Sequence, residues 1–195
     1  CIRLVAEKSK PDVLLTECGG TVGDIEGLPF LEAFRQMRLE EPAGHTLFVH
    51  VALVPTLPHT GEAKSKPLQH SVQELRRIGI QPDLVVARCV QHIPEELRAK
   101  IALFASVPRD SVFSSANVTT TYLLPRILDE QGLGAAATRR LGLAEGKPEW
   151  TTWDRVVEPM ARPKHGVRIF LVGKYVELED SYISAVSYTH LTLPT

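Results

Sequence analysis

The chain has 195 residues, 44% of them hydrophobic, with a formal net charge of -1. That is enough for one full domain and part of another, and the balance argues against disorder and against any whole-chain attraction to nucleic acid or an anionic membrane. The three cysteines, Cys1, Cys18 and Cys89, lack metal-ligand spacing and read as free thiols of a reducing compartment. No apolar stretch approaches the roughly 20 residues of a membrane span, and the expected address is cytoplasmic.

Residues 2–10 read as the end of a helix, and Pro11-Asp12 turns the chain. Because the chain opens on Cys1 inside a helix-like pattern, it is expected to be part of a longer polypeptide. Val13, Leu14 and Leu15 form a short apolar run bounded by turn residues, which predicts a buried, central parallel strand ending at Glu17. Ligands of open parallel sheets gather beyond the carboxyl ends of the strands, so Glu17 would stand where a cation or substrate is met. Gly19, Gly20 and Gly23 allow close backbone approach, and Asp24 and Glu26 add carboxylates before a helix over residues 28–39. Taken as spacing alone, this pattern is shared by many α/β loops and does not choose between a ligand site and a plain turn.

Residues 46–54 are β-branched and aromatic almost throughout, which predicts a strand buried on both faces with His50 as a satisfied core histidine. The loop 55–66 follows the carboxyl end of that strand and should face the same side as Glu17. Pro67 fits the first turn of a helix over 68–78, with Val72, Leu75 and Ile78 inward and Gly79 as its stop. Further strands are expected at 83–88 and 111–114. Between them Pro94 opens a helix with Leu97, Ile101 and Phe104 on one stripe and Lys100 off it, and another helix covers 121–131. The alternation implies right-handed crossovers and a mostly parallel α/β sheet flanked by helices. Residues 134–166 read as an interdomain linker in which Trp150 and Trp153 anchor the segment on a domain surface, and 167–172 as a new strand. After Ala185 no helical period is evident, and residues 186–195 read as a non-native tail.

Longer strings say more than spacing. ECGGTVGDIEGLPFLEAFRQ (residues 17–36), GEAKSKPLQHSVQEL (61–75), GIQPD (79–83), RAKIALF (98–104) and VGKYVELEDSY (172–182) stand in an order that closely resembles the CTP synthases, glutamine-dependent amidoligases that convert UTP to CTP. The resemblance implies a P-loop NTPase fold of the dethiobiotin-synthetase type over residues 1–133, and the opening of a class I glutaminase domain over 167–185. Its phosphate-cradling loop would lie upstream and most of the glutaminase domain downstream, so the chain by itself is expected to be inactive, and no catalytic residue is assigned within it.

The same resemblance implies roles. Glu17 matches a magnesium-binding glutamate; Lys64, Ser65, Lys66, Pro67, Leu68, Gln69 and Lys100 match UTP contacts, with Leu68 replacing a usual threonine. Asp24, Ile25 and Glu26 match the segment that reads CTP as a feedback inhibitor, and Ala116, Asn117 and Val118 stand where relatives carry Lys-Asp-Val against ATP. Mg2+, ATP and glutamine as ammonia source follow, with a homotetramer as the assembly. Two other readings are another ATP-dependent ligase on the same fold and a non-catalytic assembly module.

Overall fold

The computed structural model describes residues 1–161, 168, 170–177 and 179–192. Three parallel strands, β1 (Val49–Val54), β2 (Leu84–Cys89) and β3 (Val112–Ser115), form a sheet in that order, with Val51 opposite Val86 and Val86 opposite Phe113. The helices are α1 (Ile2–Ser9), α2 (Leu28–Glu40), α3 (Lys66–Arg77), α4 (Glu95–Ala105), α5 (Leu124–Glu130), α6 (Leu133–Arg140), α7 (Thr151–Ala161) and α8 (Ile183–Thr192). As expected, α3 and α4 are the crossovers between successive parallel strands.

Side chains alternate across a strand, and β2 uses both of its faces. Val85, Ala87 and Cys89 join Leu68 and Val72 of α3 and Ile101, Ala102 and Ala105 of α4. Leu84 and Val86 face the other way, with Phe113, under Leu128 of α5 and Leu133, Ala136 and Ala137 of α6. Residues 134–140, read from sequence as the start of a linker, are thus helical, and two of their alanines pack beneath the sheet. A third cluster, Leu31, Leu75 and Ile80 with Val22, Phe34 and Phe48, fastens α2 to the C-terminal half of α3.

The stop of α3 shows the local chemistry. Gly79 sits at φ 97°, and Ile80 N–H reaches back to Leu75 O at 3.1 Å. A β-carbon at Gly79 would meet Arg35 Cδ at 2.8 Å, so glycine answers both the dihedral and the space.

Asp83 ties three elements together at the amino end of the sheet. Its carboxylate accepts Arg38 Nη1 and Nη2 at 2.7 and 2.9 Å and Phe48 N–H at 2.7 Å. Phe48 O in turn accepts the amides of Asp83 and Leu84, and the Arg38 guanidinium lies 5.0 Å from the Phe48 ring centroid. At the other edge, the Gln131 side chain accepts Ser114 N–H at 2.8 Å and donates to Ser114 O at 2.9 Å, standing in for a neighbouring strand.

Four expectations need correction. Residues 13–15 form no strand: they run as exposed coil, Leu15 being 90% exposed, because three apolar residues hold an extended shape only when a paired neighbour supplies the ladder, and none of the described strands pairs with them. Strand β1 is buried on one face only; Val49, Val51 and Leu53 are exposed, since α5 and α6 reach β2 and β3 but not β1. Of the strand expected at 167–172, Val167 and Ile169 lie outside the described residues, while Arg168 and residues 170–172 are exposed and pair with none of the described strands. Finally, α8 runs through Ala185 to Thr192, where no helical period was expected: the stretch holds no glycine or proline, and Ala185, Val186 and Tyr188 are exposed, so this part of the helix needs no amphipathic stripe.

His50 meets its expectation. It is buried on β1, bonded through Nε2 to Ser71 Oγ at 3.0 Å, and burial pushes its pKa below the usual 6.5. As pH falls from above 6.5 the unfolded chain takes up this proton first, so the stabilising contribution is present above 6.5 and is lost as pH falls through the folded-state value. Urea denaturation across that range should show wild-type stability falling with acid, and the slope should be shallower in His50→Gln. The same measurement at neutral pH tests the Asp83 junction. Asp83→Ala leaves Phe48 N–H and Arg38 without their acceptor and should cost about 1–3 kcal/mol, with Asp83→Asn losing less because an amide oxygen still accepts.

Candidate functional site

The order β1-α3-β2-α4-β3 sets the carboxyl ends of all three strands on one side, where three loops gather: 55–65 after β1, 90–94 after β2 and 116–120 after β3. The first is closed by its own backbone. Leu57 N–H donates to Glu62 O and Gly61 N–H to Leu57 O, both at 2.9 Å, and Lys64 N–H donates to Pro55 O at 2.8 Å. The chain is thereby returned to the start of α3, where Pro67 occupies a first turn that has no use for its missing N–H.

Lys66, the first residue of α3, is exposed, and its charge adds to the positive end of the helix dipole. Lys64 lies two residues earlier, 40% exposed and paired with Glu62 at 2.7 Å, so an anion arriving here must displace that carboxylate. The other matched positions play a different part. Ser65 and Gln69 are buried and bonded to each other, Nε2 to Oγ at 2.8 Å, bracing the turn from within. The Leu68 side chain is wholly buried against the sheet, so whatever position 68 offers a ligand comes from its backbone.

The loops after β2 and β3 are stitched together. Asn117 N–H donates to Val90 O at 3.3 Å, and Arg88 Nη1 donates to Cys89 O at 2.8 Å and Ser115 O at 3.1 Å. Asn117 is exposed, with Ala116 and Val118 half-buried on either side. Sequence reasoning did not single out Arg88; the available signal was a cation near the end of an otherwise apolar strand. The Ser65–Gln69 brace was equally hidden, because polar side chains at a helix start suggest ligand contact before they suggest each other.

Not every matched residue comes to this side. Asp24 closes its own turn by accepting Thr21 N–H at 3.0 Å, and Gly23, at φ 106°, lies against Glu74 of α3. Glu74 is eight residues beyond Lys66, about 12 Å along the helix axis. The segment carrying Asp24, Ile25 and Glu26 therefore sits toward the far end of α3 from the lysines. Lys100 opens onto a separate groove of about 430 Å³ lined by Ala99, Ala102, Leu103, Val107 and Arg109, to which residues 64–69 contribute no wall. Glu17 is exposed on the coil before Gly20, and among the described residues no three His, Cys, Asp or Glu side chains gather as a metal-binding group.

Known proteins account for the strings. The family profile described as "CTP synthase N-terminus" matches residues 1–143. A CTP synthase of Sulfurisphaera tokodaii is 52% identical over 183 residues, covering 94% of this chain and 34% of its own length. The CTP synthase of Aeropyrum pernix is 52% identical and that of Thermomicrobium roseum 49%, each over 185 residues, 95% of this chain and 34% of the relative. The chain thus spans about a third of the length of the curated relatives it matches. On the profile match, the identities and the parallel α/β fold, the chain belongs to the CTP synthase family.

Proposed function

We propose that this chain supplies the uridine-nucleotide end of an enzyme that aminates UTP to CTP. ATP phosphorylates the uracil carbonyl oxygen, ammonia adds at that carbon, and phosphate leaves, giving CTP, ADP and phosphate. Glutamine hydrolysed in a second, glutaminase domain provides the ammonia. The observation that carries the reading is the loop 55–65 with Lys64 and Lys66 at the amino end of α3, on the carboxyl side of the sheet and inside the matched string. Two cations and a helix dipole suit a triphosphate. Residues 116–118, beside them at the end of β3, are assigned to ATP.

The domain division that accompanies this reading is an amidoligase portion over 1–133, a connecting segment over 134–166 and the start of the glutaminase domain over 167–185, with 186–195 outside both. No described helix is long and apolar enough to cross a membrane, and a cytoplasmic address suits the substrates. The 195 residues contain no G-x-x-x-x-G-K-[ST] phosphate cradle, which supports the reading that they do not turn over alone.

Magnesium takes one or two carboxylates together with phosphate oxygens and waters. Glu17 is exposed, and with no metal-binding group of three His, Cys, Asp or Glu side chains among the described residues it fits the ion as one such ligand and not as part of a protein-built cage. Bound there, the ion would offset charge on the phosphates during phosphoryl transfer.

Because one chain holds 24–26 and 64–66 apart along α3, we assign their joint use to a homotetramer, in which the lysines of one copy and the acidic loop of another bracket the same nucleotide. CTP and UTP share their phosphates and differ at the base edge, so shared lysines with separate base contacts make feedback competition natural.

The test uses the full-length enzyme. Lys66→Ala should raise KM for UTP about 10- to 100-fold, the worth of one charge-assisted hydrogen bond, and the wild-type KM should rise with salt. An unchanged KM would remove the lysine assignment, and absence of CTP from UTP, ATP, magnesium and ammonia in the wild type would favour another ligase of this fold or an assembly role. Glu26→Ala should weaken inhibition by CTP more than use of UTP. Equal losses would show that the carboxylate only maintains its loop.

A further inference from the structure

The loop 116–120 is short and bridges β3 to the 3-10 turn Thr121–Leu123, so its shape is set by where its two ends are fixed. The first end is held within the sheet domain by Asn117 N–H on Val90 O. The second is held from outside it. Trp153 of α7 donates its indole N–H to Tyr122 O at 2.8 Å, and the two rings stand tilted at 52° with centroids 6.0 Å apart. One residue further along α7, Asp154 accepts Arg126 Nη1 of α5 at 2.5 Å, and Val157, a turn later, is buried. The Tyr122 hydroxyl donates in turn to Ser187 O at 3.4 Å. A tryptophan, an ion pair at the next residue and a buried valine one turn on make α7 a strap laid over the segment that follows residues 116–120.

An indole N–H is a donor with no acceptor capacity, and the atom it engages is a main-chain carbonyl inside the 3-10 turn. That contact fixes backbone and not merely side-chain packing. Leu123 N–H closes the same turn on Thr120 O at 3.1 Å, so a shift of Tyr122 carries Thr120, and with it the downstream end of the loop.

We propose that Trp153 is a positioning residue for adenine-nucleotide binding: through Tyr122 it sets the backbone of residues 116–120, so that α7, within the connecting segment, takes part in forming the nucleotide site instead of only spanning two domains. This rests on the assignment of residues 116–118 to ATP made above.

In the full-length enzyme, Trp153→Phe keeps an aromatic ring against Tyr122 and removes the donor. It should raise KM for ATP about two- to tenfold, the worth of one neutral hydrogen bond, with KM for UTP and kcat unchanged. Asp154→Asn, which weakens the neighbouring ion pair without touching the indole, should move KM for ATP in the same direction by less, and serves if the tryptophan variant does not fold. An ATP KM unaffected by both Trp153→Phe and Asp154→Asn, or equal rises for ATP and UTP, would overturn the positioning role while CTP is still made. A wild-type enzyme that makes no CTP overturns instead the functional reading on which it rests.

Discussion

One carboxylate sets the geometry on which the rest depends. Asp83 stands one residue before the first pairing of β1 with β2, Val49 with Leu84, and holds a helix cation and the Phe48 amide at once, while its own amide and the next one close on Phe48 O. Because side chains alternate in a strand, a slip of one residue here would exchange the faces of β2, sending Val85 and Ala87 toward α5 and α6 and Leu84 and Val86 toward α3. The register fixed at Asp83 is carried along β1 to Val54, and so to the start of the loop that delivers Lys64 and Lys66. A partly buried acid with three donors has little freedom, and burial of the pair is offset by its geometry: Arg38 reaches both oxygens in a fork, and its outer face rests on an aromatic ring.

The fold was legible where local chemistry and packing agree. Pro67, Gly79, Pro94 and Gly132 punctuate the helices within a residue or two of their observed ends, and the valine-containing apolar runs at 49–54 and 84–89 are strands because such side chains suit a pleated, half-buried surface. What could not be read was everything that depends on a neighbour. The triplet 13–15 has the composition of a strand and none of the pairing. Composition at 49–53 says apolar, but whether an apolar face is covered is decided by the reach of α5 and α6, which lie about 75 residues later in the chain. Residues 134–140 looked like linker because Ala-Ala-Ala-Thr-Arg-Arg carries no strong stripe, yet small side chains are what lets α6 approach Phe113 closely.

The candidate site divides in the same way. A resemblance along the sequence groups residues by what they contact, without saying from which side or from which copy they do so. The matched run 64–69 is continuous in sequence but alternates in space: Lys64 and Lys66 point to solvent, whereas Ser65, Leu68 and Gln69 belong to the interior. A helix start enforces this, since a 3.6-residue period cannot present six successive residues to one ligand. Trp153 was anticipated as an anchor from its size and surroundings, but its partner, a backbone carbonyl of a 3-10 turn, carries no signature in the sequence.

The Gln131 amide has a consequence for how this sheet can be extended. A primary amide offers one donor and one acceptor with nearly the spacing of a peptide unit, and by engaging both main-chain groups of Ser114 it occupies the middle of the β3 margin with a side chain that cannot propagate the ladder. The margin of β1 carries no such plug among the described residues, and it is flanked by Val49, Val51 and Leu53 with their side chains bare. Among the described strands the sheet therefore differs across its width: the β3 margin is occupied at Ser114 by a side chain, whereas the β1 margin leaves its ladder groups beside bare apolar side chains.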